Sequence, residues 1–192
     1  DIFGTVVDWQ RGLSASAREA GIDLSGSDFD RVIDLQATLE LGEYRSYADI
    51  VETSLVEAVK MPAEKARAIA THVGDWPLFP DARDALARLM RVAPVIAMTN
   101  SDRAHGEQVR SRLGFRLSDW LCAEDTRCYK PARAFWDAAA AKAGVPFGDH
   151  WWHVSAYADY DLEMAKSIGL TCVFITRPHA RAKPGAADLT LA

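Results

Sequence analysis

The chain has 192 residues, 49% of them hydrophobic and 26% charged, which is ordinary globular composition and enough for one core with a small insertion. Its formal net charge of −5 speaks against a general nucleic-acid or anionic-membrane surface, and no apolar run approaches the roughly 18 residues of a membrane-spanning helix. The three cysteines, Cys122, Cys128 and Cys172, are odd in number and lack C-x-x-C spacing. They read as free thiols of a reducing, cytoplasmic setting, not as a disulfide frame or a zinc site.

The chain opens on Asp1-Ile2-Phe3-Gly4-Thr5-Val6-Val7-Asp8-Trp9. In an α/β fold, an acid at the carboxyl end of a strand, followed by a glycine turn, points into the ligand crevice. The Thr5 hydroxyl is placed to bond that carboxylate or cap the turn, and a nucleophilic Asp has to be exposed to substrate, pinned and ionised. Because the sequence starts at what reads as a strand end and stops in the strand-like Leu189–Ala192, the natural protein is expected to extend past both ends.

After Trp9 the pattern turns helical. Leu13, Ala17 and Ala20 share a face until Gly21, and the stretch from Asp28 to Leu41 repeats Phe29, Val32, Ile33, Leu35 and Leu39 at helix spacing. Ser46 can cap a third helix carrying Ile50, Val51, Leu55, Val56 and Val59, and Pro62 opens a fourth that runs to Val73. Residues 10–77 therefore read as an all-helical cap inserted after the first strand. Residues 1–9 and 78–192 read as the core.

Asp81 is placed to cap a helix through Leu86 and Leu89. Val95 to Met98 is a short apolar run of the kind a buried parallel strand shows. The order then alternates: helix 102–113, strand 120–122, helix 131–142, strand 152–154, helix 162–168, strand 171–175. Such alternation predicts an α/β core, a Rossmann-like parallel sheet covered by helices with right-handed crossovers. His153 reads as a buried structural histidine, and the basic run from Arg177 to Lys183 as a solvated loop.

Three stretches fall at strand carboxyl ends and can converge on Asp1. Met98-Thr99-Asn100-Ser101 offers a hydroxyl, an amide and the amides of a helix start, which together make an anion cradle; Thr and Asn are also ordinary N-caps. Tyr129-Lys130-Pro131 aims an ammonium along the strand tops, where it would keep a carboxylate ionised, though a lone lysine there is more often at the surface. Val154-Ser155-Ala156-Tyr157-Ala158-Asp159-Tyr160-Asp161 carries two acids beside a helix start, and one of them can serve only as a cap.

In order and spacing, these four stretches resemble the motifs of the haloacid dehalogenase (HAD) superfamily, and Asp1 to Trp9 is most similar to the type II 2-haloacid dehalogenase branch. The resemblance implies the HAD fold, with Asp1 as nucleophile, Lys130 balancing its charge and Asp161 as the last acid. It implies that Thr99 and Asn100 hold a substrate carboxylate and that Thr5, Phe3 and Tyr157 lie about the substrate. The family also places a cap arginine near the leaving halide. Arg11, Arg31 and Arg45 are the choices here, and Arg31 is preferred for its apolar surroundings. Trp9, Tyr129 and Tyr157 can wall a small dry pocket, with Trp136 as plain core. In one respect the chain departs from the family: the usual Val-Ser-Ser-Asn-Ala-Trp-Asp is one residue shorter than the segment ending at Asp161, and its Asn has no clear counterpart.

Phe3 decides the branch. Phosphatases of the superfamily carry a second Asp at this position to protonate the leaving group; a phenyl ring transfers no proton, and halide leaves without one. The resemblance thus implies hydrolysis of short 2-haloalkanoic acids, haloacetate or L-2-halopropionate, to 2-hydroxy acids through an aspartyl ester. It implies a small-molecule partner, no cofactor and no metal, and by analogy a homodimer. The alternatives are a Mg²⁺-dependent phosphatase or phosphonatase, with Mg²⁺ on Asp1 and Asp161 or Asp159, and a non-catalytic binding relative.

Overall fold

Four helices follow the opening turn in the computed structural model, which describes residues 1–179 and 185–192. Helix α1 (Trp9–Glu19) starts where the Asp8 carboxylate accepts from Arg11 N, and α2 (Gly26–Glu40) starts from a capping box between Ser25 and Asp28. The Ser46 hydroxyl accepts from Asp49 N to begin α3 (Tyr47–Val59), as its position predicts, and α4 (Ala63–Ala70) follows Pro62. Their apolar faces close over one another around Leu13, Ala17, Val32, Val51, Leu55 and Ala66, each nearly inaccessible to solvent.

The remainder alternates as expected. Helix α5 (Ala82–Leu89) leads to β1 (Ile96–Thr99), α6 (Arg103–Leu113), β2 (Asp119–Cys122), the short α7 (Ala123–Thr126) and α8 (Arg133–Ala143). Then come β3 (Trp152–Ser155), a π turn (Ala158–Leu162), α9 (Glu163–Ser167), β4 (Thr171–Ile175) and β5 (Leu189–Leu191). Among the described residues the strand pairings are all parallel and form two pieces, β1–β2 and β3–β4–β5, while Val7 makes an isolated antiparallel bridge to Leu78. Asp1 to Trp9 lies between the pieces as a compact turn, not a strand: the Ile2 carbonyl accepts from the amides of Thr5, Val6 and Val7, which curls the backbone. Asp81 also differs from expectation. It sits at the start of α5 without capping it, because its carboxylate is taken by the Arg177 guanidinium. Residues 180–184, within the basic stretch, lie outside the described residues.

The helical layer is tied to the sheet by polar contacts that serve helix ends. The Asp102 carboxylate accepts from Tyr47 N at 2.8 Å and Ala48 N at 2.9 Å, so an acid at the start of α6 caps α3. His105 takes its proton on Nε2, since Nδ1 accepts from Asp102 N, and donates to the Ala70 carbonyl at 2.9 Å, at the end of α4. Gln108 bridges the Thr71 carbonyl and Gly74 N, and the Tyr129 hydroxyl donates to the Arg45 carbonyl. Buried backbone groups at helix ends need partners, and here the core supplies them.

Candidate active site

Asp1 is placed between the two sheet pieces: its nitrogen donates to the Val154 carbonyl of β3 at 2.9 Å. Both carboxylate oxygens are engaged. Oδ2 accepts from the Thr5 hydroxyl at 2.6 Å, and Thr5 Oγ1 in turn accepts from Ala156 N at 2.9 Å, which fixes the hydroxyl proton toward Asp1. Oδ1 lies 3.0 Å from Lys130 Nζ. The same ammonium reaches Asp161 Oδ2 at 3.0 Å and the Met98 carbonyl, at the end of β1, at 3.3 Å.

Lys130 is 1% exposed and Asp161 is fully buried, so this is a dry triad of two carboxylates and one ammonium. Burial alone would push the Asp161 carboxyl up, but Lys130 and His153 outweigh it and hold the group well below the usual carboxylate range. His153 Nε2 lies 3.1 Å from Asp161 Oδ1, and its ring meets the Trp136 indole edge-on with centroids 4.7 Å apart. Burial lowers the imidazole to about 4, only partly offset by Asp161, so His153 is neutral at physiological pH. The backbone of Lys130 is clamped as well: its N–H donates to Asn100 Oδ1 at 2.7 Å and its carbonyl accepts from Asn100 Nδ2 at 3.1 Å.

Above this cluster, at the seam with the helical layer, lies a cavity of about 40 Å³. By volume that admits roughly three waters, or a molecule of a few heavy atoms. Phe3 and Tyr157 wall it from the sheet side, and Trp9, Val32, Tyr47 and Leu55 from the helices. Gly4 makes the approach feasible: its φ is +88°, and a Cβ there would strike the Tyr157 hydroxyl and the His179 ring.

A haloacid dehalogenase-like hydrolase family model matches residues 1–169. The chain belongs to that family. Among solved structures, an L-2-haloacid dehalogenase superposes with a TM-score of 0.80 at 22% identity, covering 99% of this chain and 91% of its own. The L-2-haloacid dehalogenase of Xanthobacter autotrophicus gives 0.79 at 15% identity, covering 94% and 78%. A magnesium-bound Bacillus subtilis protein assigned to the same superfamily gives 0.76 at 15% identity, covering 97% and 89%. Curated protein sequences offer no match. The fold is thus that of the HAD family, and it is type II haloacid dehalogenase-like.

Within this HAD fold, the structure brings Asp1, Thr5, Lys130 and Asp161 into one connected set, with Asn100 behind Lys130 and Phe3 and Tyr157 at the cavity. Thr99 is fully buried and donates to the Ser101 hydroxyl at 3.3 Å, on the inner side of the cradle. Arg31 is not brought to Asp1. Its side chain is half exposed, paired with Asp28 one helical turn back and donating to the Ala58 carbonyl, because residue 31 lies beside the buried Val32 stripe rather than on it. Arg11 and Arg45 are exposed too. Trp9 and Tyr157 do wall the pocket; Tyr129 stacks on Tyr44 instead, and Trp136 packs in the core as expected.

His153, read from sequence as a buried structural histidine, is buried and backs Asp161. Two contributors carry no site role in the sequence reading: Ser155 accepts from Tyr157 N at 3.0 Å, and Glu40, the last residue of α2, accepts from Asn100 Nδ2 at 3.2 Å. Glu40 had a signal. Val32, Gln36 and Glu40 are spaced by four, so the buried face of α2 continues through two polar residues into the site.

Proposed function

We propose that this HAD hydrolase dehalogenates short 2-haloalkanoic acids, with residues 10–77 acting as the cap over Asp1. The observation that carries the reading is Phe3. Two residues after the nucleophile, where a phosphatase would offer a proton, the chain puts an apolar ring into the wall of a small cavity. That suits a leaving group that needs no proton.

In the proposed reaction an Asp1 carboxylate oxygen forms a bond to Cα of the substrate, and the halide leaves with the electron pair of the C–X bond. The Asn100 amide and neighbouring backbone hold the substrate carboxylate for in-line approach. Water then adds to Asp1 Cγ; the ester C–O bond breaks, releasing the 2-hydroxy acid and a proton, and Asp1 is regenerated. Thr5 and Lys130 stay on the Asp1 oxygens throughout and stabilise charge there. Asp161, enclosed between Lys130 and His153, acts as a positioning residue that keeps the ammonium directed at Asp1.

The test is halide release from chloroacetate and L-2-chloropropionate in excess EDTA, beside phosphate release from a generic ester with Mg²⁺. Halide release unaffected by EDTA supports the proposal. Mg²⁺-dependent phosphate release without halide overturns it in favour of a phosphatase. A single turnover in ¹⁸O-water should label Asp1 and leave the first product unlabelled; direct attack of water on substrate would reverse that pattern.

A further inference from the structure

Both N–H donors of the Asn100 side chain are already engaged, and its oxygen accepts as well. Oδ1 accepts from Lys130 N, while Nδ2 donates to the Lys130 carbonyl and to Glu40 Oε2. The first two bonds fix the Lys130 backbone and are not open to exchange without disturbing the ammonium. The third comes from the end of α2, across the seam. An anion that approaches Asp1 and uses this amide therefore has to take the place of a carboxyl group that the protein itself supplies.

We propose that Glu40 is the specificity-determining residue of the anion position: its carboxyl occupies the Asn100 amide that a substrate carboxylate would take, and the two compete. This rests on the haloacid reading above. Part of Glu40 reaches solvent, so an outward swing is open to it. The groups around it are Asn100 and Lys130 from the core, Tyr47 at the start of α3, and Tyr129, Tyr157 and Tyr160. Burial lifts all four tyrosines well above the usual phenol range, so none of them titrates in the working range. Burial likewise pushes the Glu40 carboxyl up to about 8, with Asn100 and Lys130 pulling only part of the way back. A neutral Glu40 yields the amide to a carboxylate ligand. An ionised one holds the amide more strongly and repels the ligand, so carboxylates are excluded at alkaline pH while neutral ligands of the same shape are not.

The experiment measures binding, by calorimetry on the full chain, of propionate and of its neutral isostere propionamide. For the wild type, the propionate Kd should rise by about tenfold or more between about pH 6.5 and about pH 9, and the propionamide Kd should stay level. In Glu40→Gln the propionate Kd should lose its pH response. An equal weakening of propionamide in the wild type, an unchanged propionate response in E40Q, or no propionate binding by either protein would each overturn the proposal. The wild-type comparison of the two ligands stands even if E40Q folds poorly. If the chain binds propionate in this manner but releases no halide from any haloacid, the dehalogenase reading fails while the role of Glu40 holds.

Discussion

At the scale of single residues, the site is a balance of charge inside a dry environment. Asp1 and Asp161 share one ammonium, and removing it leaves two carboxylates facing each other without solvent. Lys130→Met should therefore cost about 3 to 5 kcal/mol of stability, read as a lower urea midpoint, besides abolishing turnover. A change in the midpoint of less than about 1 kcal/mol would mean that the ammonium is not buried between the acids. Asp1→Asn should lower kcat on the order of a thousandfold or more with little change in urea midpoint, because its contacts with Thr5 and Lys130 fix charge more than they hold the fold. These acids and the lysine were legible in sequence because each belongs to a short motif with its own turn or helix start. Sequence favours Arg31 and passes over Glu40 for one reason. Both belong to a helix, where only the register of the buried stripe tells inward from outward, and that stripe runs through Val32, Gln36 and Glu40, not Arg31.

At the scale of elements, most helices and strands follow from periodicity and caps, and the departures have local causes. The segment before Asp161 is one residue longer than the family pattern. The structure takes up the extra residue as a π turn, with Leu162 N bonded to the Tyr157 carbonyl five residues back. The turn keeps Asp161 directed at Lys130 while Tyr157 still reaches the cavity. No hydrophobic pattern announces such a turn. Nor does local sequence show that an acid caps a helix in another layer, as Asp102 does for α3. Asp102→Ala should remove about 1 to 2 kcal/mol of stability, as loss of an N-cap does. Because Tyr47 begins α3 and lines the cavity, the same substitution should raise KM more than it lowers kcat. A fall in kcat with KM unchanged would place the effect at Asp1 instead.

For the molecule as a whole, the buried ionisable groups set a stability profile with opposing slopes. Stability rises with pH wherever the unfolded chain binds more protons than the folded one. Burial lowers His153 and His179 from 6.5 to about 4, so between those values only the unfolded chain is protonated at these sites and stability climbs. Asp161, held low by Lys130 and His153 against its burial, adds stability above the usual carboxylate range that is lost as pH falls through its folded value. Glu40 runs the other way: its carboxyl moves from 4.5 up to about 8 on burial, so between those values the folded chain binds the extra proton and stability declines as pH rises. Burial also lowers the Asp1 amino group from 8.0 to about 5, which runs with the histidines, so from about pH 6.5 to about pH 8 the amine and Glu40 oppose each other. The wild-type urea midpoint should therefore climb to about pH 6.5 and stay near level from there to about pH 8. In E40Q the amine acts without that opposition, so the midpoint should keep climbing toward about pH 8. An E40Q midpoint that follows the wild-type profile from about pH 6.5 to about pH 8 would place Glu40 in water, ionised throughout, and remove the physical basis for its competition with a carboxylate ligand.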